Sequence, residues 1–294
     1  MSRSGLLLVD KPQGITSHGV VARVRRLAGT RKVGHAGTLD PMATGLLLIG
    51  TDSSTRLLPY LVGLDKEYTA TIRLGQATTT DDAEGEVVST TPARFEMDRL
   101  DRELDAQRGM ISQTPSSVSA IKVDGKRAYD LVREGVEVEL KARTVTVSAL
   151  EILGVRQVGD FTDLDVRVEC SSGTYIRAIA RDLGTALGVG GHLTALRRTR
   201  VGPFRVDGAP DIESLDVETA LLHPAEVASR LFPVLDLDAQ QAVDLSHGKR
   251  LSVDLEDGGP VAAVTPTGRL AGLVTVTRGV AKPIVNFPTD EVLA

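Results

Sequence analysis

In KEYTATIRLG, residues 66–75, Tyr68, Ala70, Ile72 and Leu74 alternate with Thr69, Thr71 and Arg73. That period of two predicts a strand with one apolar and one polar face. TVTVSALEIL (144–153) and FTDLDVRVEC (161–170) alternate in the same way and predict two more strands. LLLV at 6–9 and LLLI at 46–49 are short unbroken apolar runs, as in strands buried on both faces. The period changes at 20–28, where Val20, Val21, Val24, Leu27 and Ala28 form one helical stripe. Arg23, Arg25 and Arg26 lie off that stripe, and Thr16 or Ser17 is placed to cap the helix. Met97, Leu100 and Leu104 predict a helix within 96–110, and YIRAIARDLGTALG one that stops at Gly188.

Helices and strands intermix with no repeating βα unit. This predicts an α+β fold around a mixed, largely antiparallel central sheet. Beyond residue 232 the pattern becomes short β-type runs broken by Gly and Pro, such as GKRLSV and KPIVNF. We therefore expect a larger domain over 1–232 and a small β-rich domain over 233–294.

Composition adds constraints. The 294 residues are ample for two cores, and with aromatics at only 3% those cores must rest on Leu, Val, Ile and Ala. Cys170, the only cysteine, closes a strand pattern and reads as a buried thiol. No disulfide framework can form, which suits a reducing compartment. Four consecutive apolar residues precede Asp10, too few for a signal peptide. No run approaches the ~18 residues of a membrane span. The expectation is a cytoplasmic protein with no membrane association. A net charge of −5 speaks against an indiscriminate polyanion binder, yet residues 1–77 hold ten Lys/Arg against five Asp/Glu. A basic face on an acidic protein can still steer a nucleic acid. Arg23, Arg25, Arg26, Arg31 and Lys32, with Lys122, Lys126 and Arg127, are the candidates for phosphate contacts.

Several familiar sites can be set aside. GVGG at 188–191 follows a helix and lacks the spacing of a dinucleotide loop, and there is no GKS or GKT phosphate loop. The five histidines show no metal-type pairing, and DLDAQQAVD lacks the mid-loop glycine of a calcium site. Neither metal nor cofactor is expected. What remains is GHAGTLDPMATG, residues 34–45, in which three glycines, two threonines and a proline surround His35 and Asp40. In isolation Leu-Asp-Pro marks a turn. Here Gly34, Gly37 and Gly45 allow unusual backbone angles or close approach of a large ligand, and Thr38 and Thr44 can stiffen the loop locally.

The whole string resembles the catalytic loop of the TruB family of tRNA pseudouridine synthases, with every fixed position present. DKPQGITSH is similar to the family's N-terminal motif, and KEYTATIRLGQATTTDDAEG to its second. SSGTYIRAIARDLG resembles its arginine motif and GGHLTALRRTRVGPF its leucine–arginine motif. Pro115-Ser116 and Val118 stand where the family usually shows two prolines and an aromatic, in an RNA-contacting insertion placed at roughly 109–145. The C-terminal piece is similar to a PUA domain in size, position and β-rich pattern.

The resemblance implies isomerisation of uridine to pseudouridine at position 55 in the T-arm loop of tRNA, with the target base flipped out and no cofactor. It makes Asp40 the catalytic residue, acting either as a nucleophile at C1′ or in a route through loss of a C2′ proton. Arg177 becomes its partner and Tyr68 the active-site tyrosine. Leu196 would line the uracil pocket and His35 fill the space the base leaves; Asp82, Tyr175, Lys11 and Lys66 complete the substrate-binding set. The implied enzyme stands alone with tRNA as partner and no obligate protein partner, and nothing demands more than a monomer. Three other readings remain, one of them the guide-RNA-dependent branch of the same superfamily, against which the compact chain without long basic tails speaks. A nucleoside or glycoside hydrolase would need a second carboxylate, and the motif holds none; Asp82 lies in what reads as a hydrophilic turn. A non-catalytic RNA-binding protein or tRNA chaperone would use Asp40 structurally.

Overall fold

The computed structural model describes residues 4–116 and 140–292, together with the backbone of two short strands between them. The first leucine run forms β1 (Gly5–Lys11), followed by α1 (Ser17–Ala28). Thr16 Oγ1 accepts the Gly19 N–H at 2.9 Å, and Gly29 at φ +61° ends the helix. β2 (Val33–Ala36) and β3 (Thr44–Thr51) then flank the glycine-rich loop. Both leucine runs are buried on both faces. Leu7, Val9, Leu47 and Ile49 meet Val20, Val21, Val24 and Ala28 of α1, while Leu6, Leu46 and Leu48 face the other side. Leu27 departs from the predicted stripe and is 52% exposed. It sits at the edge of the stripe, and α1 covers only one side of a thin sheet.

The chain continues through α2 (Leu58–Val62), β4 (Lys66–Leu74), β5 (Gln76–Thr78), β6 (Val87–Thr90) and α3 (Met97–Ala106). β7 (Gly109–Gln113) leads to β8 (Lys122–Val123) and β9 (Lys126–Arg127), which pair as a small ribbon. β10 (Arg143–Val158), β11 (Phe161–Cys170), α4 (Ile176–Leu187), β12 (Gly191–Val201) and β13 (Phe204–Arg205) follow. Gly188, at φ +76°, stops α4 where the sequence placed its end. In α3, Leu100 and Leu104 are buried while Met97 is exposed.

Among the described residues the central sheet has nine strands, in the order β1-β3-β12-β4-β11-β10-β7, with β2 added to β3 and β13 to β12. Every pairing is antiparallel except β3 with β12. The fold is thus α+β around a mixed, largely antiparallel sheet. β7 and the start of β10, at the two ends of the expected insertion, pair with each other in this sheet through Gly109–Gln113 and Arg143–Val147.

β2 pairs with Leu48–Thr51 and β12 with Thr44 and Gly45, so β3 passes from one neighbour to the other where the glycine-rich loop emerges. The parallel contact explains Gly45. Its φ is +99°, and a Cβ there would lie 2.2 Å from Arg198 O. Gly45 therefore serves this strand contact, and Gly34 has its own packing reason, since its Cβ would crowd Leu58. Gly45→Ala is expected to lower unfolding free energy by about 2–4 kcal/mol in urea titration.

The C-terminal part forms a second sheet from β14 (Val234–Asp236), β15 (Leu251–Ser252), β16 (Gly258–Val264), β17 (Leu270–Thr277) and β18 (Val280–Asn286). Their order is β14-β16-β17-β18-β15. One apolar cluster runs from Leu46, Leu48, Leu61 and Phe204 into Val261, Leu273 and Val274, so the two sheets share a core. No helix among the described residues is long and apolar enough to cross a membrane.

Candidate active site

Asp40 lies in the loop between β2 and β3, and that loop is fastened from several sides. Ser17 Oγ, at the start of α1, accepts the Leu39 N–H at 2.8 Å and donates to Leu39 O at 3.0 Å. The Gly14 N–H donates to Pro41 O at 2.8 Å, and Ala43 N–H to Asp40 O at 3.1 Å. Lys11 is fully buried, and its Nζ donates to Ile15 O (2.7 Å), Pro12 O (2.9 Å) and Pro41 O (3.4 Å). Arg198, equally buried, donates Nε to Leu46 O at 2.7 Å, Nη2 to Gly37 O at 3.2 Å and Nη1 to Thr38 O at 3.5 Å. Two cations thus hold the loop through its backbone carbonyls. Thr44 Oγ1 accepts more loosely from Arg197 at 3.5 Å.

α4 brings Arg177 to the same place. Its side chain is only 4% exposed and bridges two carboxylates. Nη2 lies 3.0 Å from Asp40 Oδ2, and Nη1 lies 3.2 Å from Asp82 Oδ2 and donates to Thr80 O at 2.9 Å. The two acids differ in setting. The Asp82 side chain is 4% exposed, whereas that of Asp40 is 37% exposed. Asp82 is therefore not the solvated turn residue its sequence neighbours suggest. Its Oδ1 accepts from Thr80 Oγ1 at 2.5 Å and from the Glu84 N–H at 3.1 Å, which occupies the carboxylate.

Asp40 opens onto a cleft of about 290 Å³ that Lys66, Tyr68, Tyr175, Arg177, Leu196 and Arg198 also line. Tyr68 and Lys66 share a face of β4, and Leu196 and Arg198 share a face of the neighbouring β12, by the period of two. Asp40 is the one acid among the described lining residues. Burial raises the Tyr68 hydroxyl above its ordinary value, so the phenol stays protonated. Burial also lowers Lys11 to about 8, against the pull of the Asp40 and Glu84 carboxylates. Lys66 falls to about 8 through burial and then the nearby Arg198 charge, while its Nζ donates to Val62 O and Leu64 O.

His35 sits on β2, outside the cleft lining, with its ring edge-on to His18 at 5.2 Å between centroids. Of the basic candidates, Arg26, Arg31 and Lys32 are exposed. Arg23 pairs with Glu213, and Arg25 donates to Val33 O at 3.2 Å. The side chains of Lys122, Lys126 and Arg127 lie outside the described residues. Cys170 is buried, and burial pushes its thiol up to about 11. Among the described residues no group of three His, Cys, Asp or Glu could hold a metal ion.

Sequence reading missed Ser17 and Arg198. Arg198 left a signal, since it stands two residues beyond Leu196 in a strand and must share its buried face. The arrangement offers one directed, partly open carboxylate over a largely apolar floor, with a buried guanidinium fixing its orientation.

Comparison with known proteins gives the family. The sequence pattern described as TruB family pseudouridylate synthase (N terminal domain) matches residues 25–176. Those of the tRNA pseudouridylate synthase B C-terminal domain and of tRNA pseudouridine synthase II, C terminal, match 177–236 and 232–288. The tRNA pseudouridine synthase B of Leifsonia xyli subsp. xyli is 58% identical over 99% of this chain and 99% of its own. That of Thermobifida fusca is 53% identical over 96% and 98%. Among solved structures, an H/ACA RNP bound to a substrate RNA containing 2′-deoxyuridine superposes with a TM-score of 0.72 at 24% identity. It covers 98% of this chain and 86% of the other, which shows a common fold. The chain belongs to the TruB family of pseudouridylate synthases.

Proposed function

We propose that this protein isomerises uridine to pseudouridine at position 55 in the T-arm loop of tRNA, in the cytoplasm. The observation that carries the reading is the Asp40–Arg177–Asp82 arrangement, with Asp40 turned to a cleft floored by Tyr68 and Leu196. A folded loop hides its base, so the nucleotide is flipped out, at a cost of a few kcal/mol of unstacking. The Asp40 carboxylate then acts at the sugar, by attack on C1′ or by removal of the C2′ proton. The N1–C1′ bond breaks, the uracil turns against Tyr68 and Leu196, and C5 bonds to C1′ as the Asp40–C1′ ester bond breaks or, on the second route, as the proton returns to C2′. C5 releases its proton to solvent and N1 gains one, so no oxidant, reductant or cofactor enters the balance. With Asp82 occupied by Arg177, Thr80 and Glu84, the described residues of the cleft offer no free second acid of the kind that hydrolysis by paired carboxylates needs.

The test is release of tritium from C5 of uridine in a T-arm stem-loop, with pseudouridine mapped at position 55. Tight binding without release would favour a binding-only protein, and free uracil among the products would favour a hydrolase.

Exposed Arg26, Arg31 and Lys32 supply affinity in this scheme, with little sequence choice. Replacing all three by Ala is expected to flatten the slope of log affinity against log salt by about two. The rate at saturating RNA stays at the wild-type level. Filter binding at several salt concentrations reads the slope, and an unchanged slope would move the phosphate contacts elsewhere.

A further inference from the structure

Tyr175 precedes α4 with φ −104° and ψ 108°, and it makes no side-chain cap to the helix. Its backbone is held instead by a residue 62 positions away in sequence. Gln113, 2% exposed at the end of β7, accepts the Tyr175 N–H at 2.8 Å on Oε1 and donates Nε2 to Tyr175 O at 3.1 Å. A side-chain amide thereby reproduces the paired bonds of a strand at the residue that starts the helix. Arg177 follows two positions later. Arg181, one turn further on, donates Nη2 to Thr114 O at 2.7 Å and pairs with Asp81 at 3.1 Å. α4 is thus tied to the 113–114 edge on both sides of Arg177, and the Asp81–Asp82 turn is tied to α4 by both arginines.

We infer that Gln113 is a positioning residue for the active site: its amide sets the start of α4, and so the reach of Arg177 to Asp40. Resting on the proposed isomerisation, the inference adds a residue that is not among those lining the cleft and bonds to the Tyr175 backbone instead of Asp40. The guanidinium must meet two carboxylates at 3.0 and 3.2 Å while buried, so it has little room to adjust if the helix start drifts. A misplacement of about 1 Å in such a constellation costs about 10²-fold in rate.

The experiment compares wild type, Gln113→Leu and Gln113→Glu by single-turnover pseudouridine formation at saturating T-arm RNA, with RNA affinity and urea stability measured in parallel. Gln113→Leu keeps the volume and removes both bonds; Gln113→Glu keeps the acceptor for the Tyr175 N–H and loses the donor. Gln113→Leu is expected to slow the saturated rate by about 10–100-fold while RNA affinity stays within about threefold of wild type, with a smaller loss for Gln113→Glu. If Gln113→Leu does not fold, Gln113→Glu is read against the same standard. Each substitution is repeated in an Arg177→Lys background, where a residue acting through Arg177 should cost far less than in wild type. Wild-type rates in the variants, or equal losses in both backgrounds, would overturn the positioning role and leave the function standing. Inactive wild type would instead remove the function on which it rests.

Discussion

Asp40→Asn is expected to bind T-arm RNA within about threefold of wild type and to form pseudouridine about 10⁴-fold more slowly or worse, a loss of about 5 kcal/mol in transition-state stabilisation. The substitution preserves shape, removes the charge and replaces one nucleophilic oxygen by an NH2 group. The loop is held through its backbone by Ser17, Lys11 and Arg198, none of which bonds to the Asp40 carboxylate. Its geometry therefore survives the change, and the loss is chemical. Tritium release and filter binding on one preparation separate the two quantities. Substantial turnover by the variant would remove Asp40 from the centre of the mechanism.

Arg177→Met is expected to do more than slow the reaction. Asp82 is buried and depends on Arg177 for its opposite charge, and removing one partner of a buried pair typically costs about 3–5 kcal/mol. The same change frees Asp40 from its orienting contact, so activity should fall by about 10²-fold or more, as when a close-fitting constellation loses its register. The two effects can be divided. Adding Asp82→Asn to Arg177→Met removes the stranded charge and should return most of the stability while activity stays lost. Urea titration and single-turnover rates read both. Recovery of activity along with stability would mean that Arg177 serves the fold alone.

These expectations rest partly on what the chain discloses unaided. The alternation through Tyr68, Ala70, Ile72 and Leu74 became β4, and FTDLDVRVEC became β11 over its whole length. Both signals are local, because a strand with one buried face needs apolar residues at every second position. The glycine-rich loop was legible as a constrained segment, and its string carried the family likeness. The order of the strands was not. β3 lies beside β12, some 150 residues later, and the parallel contact through Gly45 and Arg198 is fixed by packing that no local period encodes. The burial of Asp82 was hidden for a similar reason. TTTDDAEGE reads as solvated until α4 delivers Arg177 against it. Gln113 left no local signal, since its partner is a backbone segment brought close only by the finished sheet.

The core shared by the two sheets bears on how the chain comes apart. Leu46, Leu48 and Phe204 lose their cover if the strands carrying Val261, Leu273 and Val274 are removed. A chain cut after residue 232 would present a wet apolar wall directly behind β3, the strand that leaves the Asp40 loop. The C-terminal sheet is consequently no detachable module. Denaturation should show one cooperative transition in which probes on Tyr68 and on β17 report the same midpoint. Mutations far from the cleft, at Leu273 for example, would then reach activity through the population of folded enzyme and leave the chemistry of each folded molecule untouched.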